Sequence, residues 1–353
     1  MPIANGNGDA KTSYGADIAL LGSSPLRFRF GFLLLILIAL PFLLPSYLLH
    51  LINIVALTCL GALALNLLTG YTGIISLGHG GFLAIGAFTT AALVTEFNLP
   101  FLVVLPAAAV GGAIAGFFAG LPTLRLRAGY VILSTLAIHF VILAFAHEYQ
   151  TRTGLIGGFR IPSPSIGPWT INTDREWYFS LLVITGMVTL FCINLVRSRV
   201  GRAWMAIRDR DIVAMLLGVN IGYYKLLAFM FSSALAAFAG CLGAFYLGFT
   251  TASDFTIWTG IFYLAMIIVG GQGSIMGSFL GAFLIALLPY GLSDLSRLLN
   301  VPSWLQLRLF AVQYAVLGLL ISFFLILEPR GLIAIWYLRI RPYFALWPFK
   351  HRL

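Results

Sequence analysis

Between Phe30 and Leu327 the chain returns repeatedly to apolar runs of about 18 residues or more, long enough for a helix to cross the ~30 Å hydrocarbon core of a bilayer. Helices suit that setting, because each backbone N–H and C=O in lipid must find its partner inside the protein. The expected fold is all-α, a polytopic transmembrane helical bundle of about ten spans with some short or re-entrant segments. Composition agrees. The chain is 60% hydrophobic and 9% charged, whereas a soluble domain carries roughly 25% charged residues.

Apolar stretches between polar or Gly/Pro punctuation place the spans at 30–49, 51–69, 74–95, 101–120, 129–147, 178–196, 226–249, 257–270, 277–292 and 308–327. The first run exceeds the ~7 to 15 residues of a signal-peptide core and should remain as a span. The eighth, at ~1.5 Å per residue, rises only about 21 Å and is expected to be half of a broken or re-entrant pair. Three parts follow: a polar cytoplasmic tail at 1–29, a membrane domain at 30–327 containing the long loop 197–225, and a basic cytoplasmic tail at 328–353. Five spans on either side of the external segment 148–177 would relate the halves only by inverted topology, and sequence support for such a repeat is weak.

Orientation follows from the basic residues. With the N-terminus inside, Lys11, Arg27, Arg29, Arg125, Arg127, Arg197, Arg199, Arg202, Arg208, Arg210, Lys225, Arg330, Arg339, Arg341, Lys350 and Arg352 are cytoplasmic, 16 of the 21. The acids divide 5 inside to 6 outside, so the bias is one of Lys and Arg alone, as the positive-inside rule requires. Both termini are expected to face the cytoplasm.

Several chemistries lack residues to carry them. The net charge of +10 is dispersed among short loops, not gathered on one aromatic-rich face, which argues against nucleic-acid binding. Cys59, Cys192 and Cys241 are solitary and in apolar surroundings, so neither a metal nor a disulfide spacing exists. No acid lies well inside a span, leaving His79 and His139 as the deep ionisable groups and little basis for proton or sodium coupling. A Walker A loop is missing too, since no lysine follows a glycine. No cofactor, catalytic residue or metal is expected, and the energy for transport should come from a partner.

A positive signal sits in Arg197–Lys225, which reads RSRVGRAWMAIRDRDIVAMLLGVNIGYYK. Trp204, Met205 and Ile207 precede the charged run Arg208-Asp209-Arg210-Asp211, then Ile212, Val213, Met215, Leu216 and Leu217 lead to a capping Gly218. That pattern predicts two short surface helices with a charged turn between them. A rigid amphipathic projection of this kind suits docking into a partner's groove, and its charges could fix register. Attachment to an anionic lipid surface through the arginines is the plainer alternative.

Residues Gly201–Phe229 strongly resemble the cytoplasmic loop of branched-chain amino acid ABC permeases of the LivM type. Asn66–Phe88 (NLLTGYTGIISLGHGGFLAIGAF), Leu121–Ala137 and Ile267–Pro289 resemble further blocks of that family, in family order. The resemblance implies a permease subunit moving branched-chain amino acids, driven by two separate ABC ATPase subunits. It also implies a homologous second permease of the LivH type and a periplasmic or extracellular substrate-binding protein. Urea or short-chain amides are alternative small polar solutes within the family, while a self-contained secondary carrier or a scaffold would leave the loop unexplained.

The same resemblance relates the loop to the EAA segment of ABC permeases, with Val213, Ala214 and Gly218 at the two small positions and the glycine. Ile212 stands where the usual acid would be, and Asp211 just before it. Arg202, Ala203, Ala206, Ile207, Arg208, Asp209, Asp211, Val213, Ala214 and Gly218 are the expected ATPase-coupling residues. For the solute pathway the expectation is Tyr71, Ser76, His79, Gly80, Gly81 and His139. Glycine packing or a buried histidine bonded to a backbone carbonyl would account for individual members of that second set. The Gly-rich stretch Thr153–Phe159 is expected to face the binding protein.

Overall fold

The computed structural model describes residues 24–126, 128–154, 157–167, 169–298, 309–328 and 331–335. Most of the two expected tails, Arg127, and Leu155 and Ile156 of the Gly-rich stretch lie outside these residues. Within them the chain is an all-α bundle: α1 (Ser24–Leu43), α2 (Ser46–Leu65), α3 (His79–Thr95), α4 (Phe101–Thr123), α5 (Ala128–Arg152), α6 (Asp174–Arg197), α7 (Arg199–Leu216), α8 (Ile221–Leu247), α9 (Ile257–Gly270), α10 (Ile275–Leu298), α11 (Leu309–Leu327) and the short α12 (Leu332–Ile335). Among the described residues seven segments are long and apolar enough to cross a membrane, and three shorter apolar helices accompany them. Each expected span has a helix.

Two boundaries differ from the sequence reading. The first break falls at Pro45, not at His50, because proline supplies no N–H to a preceding turn. His50 stays inside α2, where its Nδ1 shares a 2.7 Å hydrogen bond with Tyr246 Oη. The third helix begins at His79, not Ile74. Gly73 takes φ +75°, and the residues from there to Gly78 form no regular element. Preceding this break, a π-helical turn, Asn66–Gly70, ends α2.

At the centre, α8 crosses α3 and α4 on small residues, as lipid provides no hydrophobic force between helices and close contact must serve instead. A Cβ at Gly116 would come 2.6 Å from Ser233 Oγ and 2.7 Å from the Phe229 carbonyl oxygen. Ser232 Oγ also donates to the Ala64 carbonyl on α2 at 2.7 Å. A second core joins α2, α9, α10 and α11 through Ala62, Ile267, Ile285 and Leu317. Side chains such as Phe42, Phe145 and Met187 are turned outward, as expected of a surface meeting lipid.

Small strands tie connections together at one end. β1 (Phe159–Arg160) pairs antiparallel with β4 (Phe249–Thr250), and β2 (Ser165–Ile166) with β3 (Trp169–Thr170). The α5–α6 and α8–α9 connections therefore share a face. Ala252 N donating to Gln150 Oε1 at 3.0 Å adds to the same contact.

Candidate functional site

The loop predicted as an elbow is α7, two helical pieces joined at Arg210, whose φ −158° and ψ 102° interrupt the helix inside the charged run. Ser198 caps its start by accepting from Val200 N at 3.2 Å. At its end Gly218 takes φ +84°, with Gly218 N to the Met215 carbonyl and Val219 N to the Ala214 carbonyl, both 3.0 Å. That pair of bonds is a Schellman cap, and the left-handed residue it needs is the glycine. Asn220 then starts α8 by accepting from Tyr223 N at 3.1 Å.

The two pieces face different ways. From the first, Trp204 is wholly buried against α8, donating Nε1 to the Tyr224 carbonyl at 2.8 Å, with Ala203 and Ile207 buried beside it. Arg208 donates Nη1 to the Gly70 carbonyl at the end of the π turn and packs against Gly73 and Gly273. The second piece buries Ala214 but exposes Ile212, Val213, Met215, Leu216 and Leu217, the last two at 78%. Of the expected coupling residues, Arg202, Asp209, Asp211, Val213 and Gly218 are exposed, Ala206 is half-buried, and Ala203, Ile207 and Ala214 point inward. Trp204 and the Leu216–Leu217 pair were missed as site residues, although both stand in the quoted pattern.

Asn66, also unremarked in the sequence reading, explains how the π turn is held. Its Nδ2 donates to the Ser274 carbonyl at 2.9 Å and to Ser278 Oγ at 2.7 Å, while Oδ1 accepts from Gly273 N at 2.9 Å. The α9–α10 turn, the end of α2 and Arg208 are thus one unit. An amide inside an otherwise apolar span was the available signal.

Five of the six expected pathway residues converge where α3 begins. Leu77 N donates to Thr135 Oγ1 of α5 at 3.2 Å, and Gly78 N to Ser76 Oγ at 3.3 Å. Glycine backbone lets three helices close on this point: a Cβ at Gly78 would come 2.6 Å from the Thr135 carbonyl oxygen, and one at Gly260 2.9 Å from that of Leu77. The imidazole of His139 lies against Gly80 and Gly81, its Cε1 3.1 Å from where a Gly80 Cβ would be. His79 meets the Tyr263 ring edge-on at 4.9 Å. Tyr71 is elsewhere, buried with Leu67, Leu68 and Trp204 beneath the elbow. Thr135, Tyr263 and Gly260 are the neighbours that sequence reasoning did not name.

Between them, residues 66–81 run from the elbow's foot to this junction. A family model described as "Branched-chain amino acid transport system / permease component" matches residues 47–325, which takes in both places. The chain belongs to this permease family. It is 32% identical over 325 residues to the high-affinity branched-chain amino acid transport system permease protein LivM of Escherichia coli, covering 85% of this chain and 73% of the relative. The LivM of Salmonella typhimurium matches with the same identity and coverage. A probable LivH of Methanocaldococcus jannaschii is 28% identical over 257 residues, 67% of this chain and 76% of the relative. No solved structure matches the permease. It is a multi-pass membrane protein of a transport family. Among the described residues no group of three or more metal-binding side chains occurs.

Proposed function

We propose that this permease is the LivM-type subunit of an ATP-binding-cassette importer that carries branched-chain amino acids across the bacterial inner membrane, powered by two separate ATPase subunits. The observation that carries the reading is the elbow, whose first piece is anchored in the bundle while its second presents an apolar face outward. A knob fixed in this way can transmit a push that a loose loop would absorb. The Lys/Arg bias orients it: the elbow and both termini face the cytoplasm.

On this reading the ATPases close on ATP and press the elbow through Ile212–Leu217. Trp204 and Arg208 pass the displacement to the π turn and to Gly73. The irregular segment leading into α3 then shifts, and the bundle exchanges an outward-open for an inward-open cavity. Ser76, His79, Gly80, Gly81 and His139 line that path, whereas Tyr71 belongs to the transmission. A homologous LivH-type permease completes the membrane core, and the strand-tied external face receives a substrate-binding protein.

The test is reconstitution. Liposomes holding the permease pair, both ATPases and the loaded binding protein are expected to import L-leucine only with internal ATP. Gradient-driven uptake by this chain alone would overturn the proposal, as would ATP-driven import confined to urea or an amide.

A further inference from the structure

The junction at the start of α3 has buried polar groups with no protein partner. His139 is fully buried, yet neither of its ring nitrogens has a hydrogen-bond partner among the described residues, and His79 Nε2 is in the same condition. Buried polar groups are normally paired, and one left unpaired deserves a specific explanation. The start of α3 adds to this. Gly78 supplies its N-cap position without a side-chain acceptor and its carbonyl accepts from Gly81 N at 3.0 Å, so the His79 and Gly80 N–H groups carry the positive end of the helix dipole into the protein interior.

Three further helices close on the position. Thr135 and His139 come from the middle of α5, Gly260 and Tyr263 from α9, and Gly61 of α2 lies against the Tyr263 ring. Irregular backbone at such depth persists where it is shielded by protein or lines a cavity. A carbonyl is at hand as well: the oxygen of Thr256, the residue before α9, accepts from Thr259 N at 3.0 Å, keeps a second lone pair, and lies 3.3 Å from where a Gly80 Cβ would be.

We infer that the first turn of α3, with His139, is a transient binding point for the charged end of the transported amino acid halfway along its path. This rests on the amino-acid importer reading above. The His79 and Gly80 N–H groups and an imidazole N–H donate to the carboxylate, as anions are held at helix N-termini. The other imidazole nitrogen and the Thr256 carbonyl accept from the ammonium group. A neutral imidazole offers one donor and one acceptor, which matches a zwitterion better than a single ion. The site is closed over by protein in this structure, and it opens when the irregular segment between Gly73 and Gly78 moves.

The test compares His139→Phe, which keeps ring volume without polar atoms, with His139→Gln, which keeps a donor and an acceptor, in the complete reconstituted transporter. A ring needed only for packing predicts that Phe transports normally. The inference predicts that Phe unfolds at or above the wild-type temperature, since it relieves unpaired nitrogens, while L-leucine uptake falls about tenfold or more. Gln is expected to stay within about threefold of wild type. Wild-type uptake by Phe, equal loss in Phe and Gln, or a lowered unfolding midpoint for Phe each overturns it. Wild-type transporter that imports no leucine sinks instead the amino-acid reading, so the two failures are separable.

Discussion

The elbow and the start of α3 leave opposite kinds of chemistry unsatisfied. In α7 the polar anchors are served: Trp204 Nε1, Arg208 Nη1, both helix starts and the Gly218 cap all have named protein partners, and beyond the exposed charged run Arg208–Asp211, which water can satisfy, the second piece exposes apolar side chains, Leu216 and Leu217 above all. At the junction the apolar groups are packed, and what lacks a partner is polar, on His79 and His139. Burial of apolar area favours a protein or lipid partner, while buried unpaired nitrogens favour a polar one. The missing group at each place is legible in what the protein does not supply itself.

Reversing the Arg208 charge should break the contrast most severely. Arg208→Glu exchanges a charged donor for an acceptor facing the Gly70 carbonyl, losing a bond of about 1.5 to 3 kcal/mol. ATP-driven uptake is expected to fall about a hundredfold with the protein still inserted, and uptake above half of wild type would remove Arg208 from the transmission.

Next in size is the doubly substituted Leu216→Asp, Leu217→Asp, which strips the apolar tip. Central anchors of interfaces cost about 2 kcal/mol or more, so the ATPases should fail to co-purify and uptake should drop about thirtyfold. Should they co-purify normally, a membrane-surface role for the second piece gains the advantage.

Gly218→Val forces a branched residue into φ +84° and disturbs the cap, at a cost of about 1 to 2 kcal/mol. Uptake several-fold lower, with unchanged membrane insertion in a fractionation assay, is the expected outcome. A smaller change is expected at the junction: Ser76→Ala removes one long hydrogen bond to Gly78 N, worth about 0.5 to 1 kcal/mol. Thermal unfolding should move by only a few degrees, and a large drop would show that the segment before α3 is held mainly by this serine.

The lengths of apolar runs, the all-α class and the elbow's own shape were legible without coordinates, because each follows from neighbours in the chain. Span length is a local hydrophobic count, and the break in Arg208–Asp211 and the Gly218 cap lie within a few residues of the groups that satisfy them. Pro45 was legible in principle but was outweighed by the polarity of His50. The late start of α3 was hidden since Ile74, Ile75 and Leu77 read as helix while Gly73 and Gly78 permit another path. What only the tertiary structure decided are the meetings across distance: Arg208 with the Gly70 carbonyl, Asn66 with Ser278, and His139 with Gly80 and Gly81. Such contacts depend on which helices pack together and at what depth, and no periodicity within one segment encodes the position of another.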